Sequence, residues 1–511
     1  MKKFVIIDLS KDINLVVNDS LVFQLSYGAT KLNNSQILKK NLFSEVKLKK
    51  FRILLNNLLL SFYNKIDDDK SKINLPMLEF FNSRNDKNQI YNKLFYLKEI
   101  LNYLKKKKIK NLEIITDDSF FFNTYKSIKF NNVNVILVNK KQKTPGQLGY
   151  FLSTTFFFMK TMIYIFFVKL FKKEIQNAPA ESCLSIYPIF FKNKKNLFYK
   201  KDYLNLNFQI TDETHLNNSL FKNLRSISKI KSLKNTIQVE TYITILDLIK
   251  NYIDSLRRYK FIKNVNDYNF NYDGLNVKDQ FYYLFYKSFL NNNKIKIYNQ
   301  ALKKIVNKYK IKSFHYYLFE YSFGFYINNF FKKNFPEVEL IGYQHGIYSE
   351  RLMWQDFLKK IKHKKFFPDK IVCKYFQSLK SYKRNFKNIK ILFTKSKNIY
   401  NNMTNLKTNK YNVFLGLHDC YNSINGLRNL GGEKQYILNF HPKLRYDKKI
   451  KLPYNMKINF QNKKNKNLFK ILSSTSTMPY QLFPNEKFFI FVPRNIIPLN
   501  PKVFDNFFLK N

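Results

Sequence analysis

Short apolar runs, each cut off by turn formers, constrain this chain more than any other feature. Tyr436-Ile437-Leu438-Asn439-Phe440 stops at His441-Pro442-Lys443, and Leu468-Phe469-Lys470-Ile471-Leu472 stops at Ser473-Ser474-Thr475-Ser476-Thr477. A run of about five apolar residues between turn signals predicts a buried strand of a parallel sheet. The same grammar recurs at 4–9, 112–116, 133–138, 182–190, 205–210, 312–319, 338–342, 368–373, 389–393, 413–417 and 488–492. Helix-compatible stretches lie between them, at 46–63, 89–104, 120–129, 241–259, 279–290, 294–309, 324–333 and 423–430. Strands alternating with helices predict an α/β chain with parallel sheets.

Ligands of such sheets bind beyond the carboxyl ends of the strands. The chemistry placed there is therefore the first place to look. His441 and Lys443, flanking Pro442, offer an imidazole and an ammonium. Ser473, Ser474, Thr475 and Ser476 offer hydroxyls, and the helix start near Pro479 offers free N–H groups that favour an anion. An N-cap also explains a hydroxyl run, and a turn explains His-Pro. Their shared position on two strands favours a site for a phosphorylated donor. Other strand ends carry Glu320, then Tyr343-Gln344-His345-Gly346, then His418-Asp419. Gly346 permits a tight turn that presents His345. Thr211-Asp212-Glu213-Thr214-His215 offers two carboxylates and an imidazole for a general base, or a polar loop with an N-cap. Asp117 and Asp118, behind the 112–116 strand, stand where chemistry could occur, with a helix N-cap as the favoured role. Asp67-Asp68-Asp69 satisfies a D-x-D pattern inside a lysine-rich polar stretch, so no metal is expected.

The chain has 511 residues and 45% apolar composition, enough for several cores. Its net charge of +55 suggests nucleic acid or an anionic membrane surface. The excess is lysine spread among abundant Asn, Ile, Phe and Tyr, residues with A/T-rich codons, and no nucleic-acid-binding motif accompanies it. Nucleic acid is therefore not expected, while each Lys near acidic lipid still contributes on the order of 1 kcal/mol. Cys183, Cys373 and Cys420 form no CxxC, which fits a reducing cytoplasm. The apolar run 4–9 is too short for a signal peptide and meets Asp8 and Asp12. Residues 148–171 are long and apolar enough to span a bilayer, but carry Ser153, Thr154, Thr155, Lys160 and Thr161. A central Lys adds about 2.5–3.5 kcal/mol to insertion. A helix lying on the membrane face, with Lys169, Lys172 and Lys173 at lipid phosphates, is favoured over a buried helix or a span. The expected organisation is an α/β unit at 1–145, this helix at 146–175, a second α/β region at 176–400 and a nucleotide-binding domain at 401–511.

The pattern of strand, His-Pro, then strand, Ser-Ser/Thr resembles the bacterial sialyltransferase-like and capsule-polymer glycosyltransferases of GT-B fold. Gly342-Tyr343-Gln344-His345-Gly346, with Phe319-Glu320-Tyr321 before it, resembles a family of bacterial surface-carbohydrate biosynthesis proteins. The resemblance covers roughly residues 270–495. It implies two Rossmann-like domains facing one cleft, with a nucleotide-sugar donor held mainly by the second. His441 and Lys443 would then meet donor phosphate, with Ser473, Ser474 and Thr475 on its oxygens and Pro442, Ser476 and His418 nearby. His345 or Glu320 would orient or deprotonate an acceptor hydroxyl, with Gln344, Gly346, Asp212 and Glu213 on the acceptor side. The implied reaction is inverting, metal-independent transfer to a surface polysaccharide or lipopolysaccharide. It needs no cofactor beyond the donor and takes place at the inner face of the cytoplasmic membrane. Two departures stand out. Tyr272-Asp273-Gly274 matches the sialyltransferase acidic motif only in part, and Tyr480-Gln481-Leu482 stands where Glu-Ala is usual. A non-catalytic scaffold of the same pathway is the alternative.

Overall fold

A computed structural model of the chain describes residues 3–28, 30–68, 90–139, 146–172, 174–179, 181–185, 203–208, 235–260, 262, 268, 270–317, 322–344, 351, 366–373, 375–393, 409–416, 419–428, 433–440, 452–459, 468–474, 476, 478–479, 488–500 and 502–509. Among these residues the strand-forming runs assemble into three larger parallel sheets. The N-terminal sheet contains β1 (Lys3–Asp8), β2 (Ser20–Gln24), β3 (Gln36–Ile37), β4 (Asn111–Thr116) and β5 (Asn132–Leu137). Helices α1 (Glu45–Asp68), α2 (Ile90–Lys106) and α3 (Phe122–Lys126) connect its strands. Then comes α4 (Gln147–Val168). The middle sheet contains β6 (Glu181–Ser185), β7 (Leu204–Asn207), β8 (Thr236–Gln238), β9 (Ser313–Tyr317), β10 (Glu339–Tyr343), β11 (Lys370–Cys373) and β12 (Lys390–Phe393). Its helices include α5 (Ile245–Arg257), α6 (Lys278–Lys296), α7 (Asn299–Tyr309), α8 (Ser322–Asn334) and α9 (Phe376–Asn385). The C-terminal sheet contains β13 (Lys410–Phe414), β14 (Gln435–Asn439), β15 (Met456–Ile458), β16 (Phe469–Ser473) and β17 (Phe488–Phe491), with α10 (Cys420–Arg428) after β13.

The strand orders are β3-β2-β1-β4-β5, β8-β7-β6-β9-β10-β11-β12 and β15-β14-β13-β16-β17. Numbered within its own sheet, each runs 3-2-1-4-5, extended by two strands in the middle sheet. This is the doubly wound order of dinucleotide-binding folds. The resemblance implies two such sheets; residues 3–137 build an additional one. Burial explains the unbroken apolar runs. In β1, Phe4 and Ile6 enter one core while Val5 and Ile7 enter another on the opposite face. A strand covered on both faces has no polar side.

The N-terminal and middle units share a hydrophobic core. Thr124 Oγ1 donates to the Asn276 carbonyl at 2.6 Å, and Lys98 pairs with Asp273 at 2.5 Å. The C-terminal unit leans on the N-terminal one. Asn425 of α10 donates to Gln24 Oε1 at 2.8 Å, and the Tyr27 and Tyr421 rings stack at 4.7 Å. The segment after β17 crosses the N-terminal unit: Arg494 donates to the Leu38 carbonyl, Asn495 to the Leu25 carbonyl, and Ile497 N–H to Asn92. Arg351 is fully buried between Glu45, the Asn500 carbonyl and both oxygens of Asp505, at 2.5–2.9 Å. Asp273 and Gly274 both have positive φ, 48° and 83°, in the two-residue turn of a hairpin pairing Tyr272 with Leu275. The partial acidic motif is thus a type I′ turn.

Candidate functional site

In each sheet the strand order reverses between its first and fourth strands, which opens a crevice at their carboxyl ends. The three crevices lie between β13 and β16, between β6 and β9, and between β1 and β4.

At the C-terminal crevice, Asp419 sits just before α10 and is 1% exposed. Ser473 Oγ donates to its Oδ1 at 2.5 Å and Ser474 Oγ to its Oδ2 at 2.9 Å. These hydroxyls, read from sequence as donors to phosphate, are spent on a buried carboxylate. Ser476 N–H bonds back to the Ser473 carbonyl at 3.0 Å, and its hydroxyl accepts from Met478 N–H at 3.1 Å. The Ser/Thr run therefore includes the turn-capping role that its residue types permit. Asn439 ends β14, where its amide bonds to the Val413 carbonyl and Asn412, tying two strand ends together. His441, Pro442, Lys443, His418 and Thr475 lie outside the described residues. So do Asp69 of the D-x-D stretch and the Tyr480-Gln481-Leu482 run.

At the middle sheet, Gln344 is 2% exposed directly after β10. Its N–H donates to the Val372 carbonyl at 3.0 Å, and its Oε1 accepts from Tyr375 N–H at 3.1 Å and from the Cys373 thiol at 3.3 Å. Its side-chain oxygen thus fastens β10 to the end of β11 and is not turned to an acceptor. Burial pushes the Cys373 thiol up to about 12. His345, Gly346, Glu320, Asp212 and Glu213 lie outside the described residues.

The N-terminal crevice holds a cluster of which the sequence singled out only Asp118. Asp8, the last residue of β1, is 1% exposed. It accepts from Lys93 Nζ at 2.9 Å, Tyr125 OH at 2.7 Å, Thr116 Oγ1 at 3.2 Å and the Ser26 hydroxyl. Lys93, from α2, also reaches Asp118 at 2.7 Å. Asp118 is not the N-cap of α3, which is Phe121 without a side-chain cap bond; its Oδ1 accepts from Phe120 and Phe121 N–H at 3.1 and 3.2 Å in the turn that leads into the helix. Asp117 instead takes the N–H and hydroxyl of Ser10, joining the loops behind β1 and β4. Burial alone would lower the Lys93 ammonium, but Asp118 and Asp8 outweigh it and hold it well above its ordinary range. Burial likewise works to raise Asp118, yet Lys93 and the two N–H donors keep it below the usual carboxylate range. Burial beside Asp8 pushes Tyr125 well up. Periodicity does not reveal Lys93, because every residue from Ile90 to Leu97 is buried.

Two openings among the described residues bear on what could bind. A cavity of about 40 Å³ lies where Gln24, Asn422, Asn425 and Arg494 meet, too small for a nucleotide. An open groove of about 690 Å³ runs between α1 and α2, lined by Lys40, Lys47, Lys50, Lys98, Lys105 and Lys106 over a largely apolar wall. It is large enough for a nucleotide but lies against helices rather than strand ends. Compared with models of known protein families and with curated proteins, the sequence matches none.

Proposed function

We propose that the chain is a glycosyltransferase of bacterial surface polysaccharide or lipopolysaccharide assembly that uses a nucleotide-sugar donor. The observation carrying this reading is the crevice between β13 and β16, in a sheet of dinucleotide-binding order. His441 follows the end of β14 by two residues, and the Ser473–Ser474 turn closes β16. In this reading the C-terminal unit binds the donor and faces a second Rossmann-like unit across a GT-B-type cleft. His441 and Lys443 neutralise the donor phosphates through charge-assisted contacts, each worth about 1.5–3 kcal/mol. Ser473 and Ser474 act through the turn they anchor on Asp419 rather than through free hydroxyls. An acceptor hydroxyl attacks the anomeric carbon, its proton passes to His345 or Glu320, and the bond to the nucleotide phosphate breaks with inversion. The leaving phosphate needs no metal where Lys and helix N-termini offset its charge.

The test is a thermal-shift screen against CMP, CDP, UDP, GDP and ADP, repeated on His441→Ala. A ligand at 100 times its dissociation constant stabilises the fold by about 2.7 kcal/mol. One nucleotide should raise the melting temperature, and His441→Ala should lose that rise and the transfer activity. A His441→Ala protein with full activity would sink the assignment. A scaffold without chemistry is the second reading, favoured by the engagement of Ser473 and Ser474 with Asp419. Absence of a shift with all five nucleotides would select it.

A further inference from the structure

Thirteen of the nineteen large apolar side chains exposed among the described residues lie in two places, nine at 148–170 and four at 245–253. These are α4 with its 3-10 extension, and α5. The two helices pack side by side. Tyr150 OH donates to the Ser255 carbonyl at 2.9 Å, Thr155 bonds to Tyr252 OH at 2.8 Å, and Phe158 meets the Tyr252 ring. One face of α4 is buried, through Tyr150, Thr154, Phe158, Thr161 and Ile165. The other face carries Leu148, Leu152, Phe156, Met159, Ile163 and Phe166, each 49–71% exposed, spaced three or four residues apart. On α5, Ile245, Leu246, Ile249 and Ile253 are 43–69% exposed. A helix on a water-facing surface carries polar residues there, and exposed apolar patches of this extent mark interaction sites.

The occupant follows from charge and from topology. Lys169, Lys172, Lys250, Arg257 and Lys260 stand exposed on or beside these two helices, against the exposed carboxylates of Glu174 and Asp254. Apolar side chains edged by cations suit the headgroup and acyl boundary of an anionic bilayer. Helix α4 does not cross that bilayer. The units before and after it share one core and the Thr124–Asn276 and Lys98–Asp273 contacts, so both lie on the same side. We infer that α4 and α5 form a two-helix docking face that lies in the surface of an anionic phospholipid bilayer without spanning it.

This inference does not depend on the glycosyltransferase reading, and its test contains no nucleotide or acceptor. The purified full chain is sedimented with phosphatidylcholine vesicles with and without phosphatidylglycerol. It should partition onto the anionic vesicles and be released by alkaline carbonate. Phe156→Ser and Ile249→Ser should each weaken partitioning by roughly tenfold while melting like the parent. Lys169→Glu with Lys172→Glu should remove the preference for phosphatidylglycerol. Absence of binding, or binding unchanged by the serine variants, overturns the proposal. Retention after carbonate extraction would mean a span. A concentration-dependent dimer abolished by the same serine variants would give the face to a second copy.

Discussion

The N-terminal and C-terminal sheets have the same strand order and bury an aspartate at the same place, the reversal point, but they satisfy it differently. Asp8 is met by an ammonium, two phenol or threonine hydroxyls and a serine. Asp419 is met by two serine hydroxyls. The first arrangement fills its crevice with side chains from β1, β4, α2 and α3 and leaves Asp8 fully engaged. The second ties Asp419, at the start of α10, to Ser473 and Ser474 at the end of β16. A shared topology therefore creates the same opening twice, and the side chains decide whether the fold closes it. Here the N-terminal crevice serves cohesion, while the C-terminal one remains the proposed donor site.

The largest test of this contrast is Lys93→Met. Removing one partner of a buried ionic cluster costs about 3–5 kcal/mol, with most of the penalty falling on Asp8. Urea denaturation should show it; a loss below about 1 kcal/mol would mean that the hydroxyls suffice for Asp8.

Acid sharpens the same comparison. Asp118 is held low, so its contribution is full above the unfolded value near 3.9 and drains as pH falls through the lower folded value. Lys93 is held high, so its contribution is full below about 10.4 and fades only as pH rises past that. The wild-type cluster should thus be flat from about pH 5 to 9 and weaken towards pH 3. In Lys93→Met the cation is gone and burial, the largest influence on Asp118, works to raise that carboxyl. Denaturation midpoints should then rise on acidification, the opposite slope.

At the other crevice, Ser474→Ala leaves Asp419 buried without one of its two serine donors. The expected loss is about 1.5–3 kcal/mol by chemical denaturation, since the bond is to a charged group. Smallest is Ser10→Ala, since Ser10 is exposed and so is its hydroxyl bond to Asp117. It should change stability by no more than about 0.5 kcal/mol, and a larger loss would extend the cohesive cluster to the loops around it.

How far these features were legible in the sequence depends on length and environment. The runs at 4–9, 112–116 and 488–492 announce themselves because a strand buried on both faces must be apolar throughout. Ser20–Gln24, Gln36–Ile37, Thr236–Gln238 and Met456–Ile458 escape notice, being two to five residues long with polar members. Their pairing comes from the neighbouring strand rather than from their own pattern. Asp419 stood beside His418 in plain view, but nothing local says that two serines fifty-odd residues away will spend their hydroxyls on it. Gln344 looked like chemistry at a strand end and is a fastener between strands. The helical period at 241–259 is readable, whereas the solvent exposure of Ile249 and Ile253 is a tertiary fact.

The segment from Arg494 to Asn500 gives this fold a timing. Its bonds to Asn92, Tyr96 and Leu25 join residues 400 to 470 positions apart. At about 5–20 residues per second of synthesis, roughly 20–100 s separate the emergence of those partners. For that interval the N-terminal unit waits on the ribosome with the Leu25 and Leu38 carbonyls unclaimed by their eventual donors. The waiting state must be one that water or a chaperone can hold.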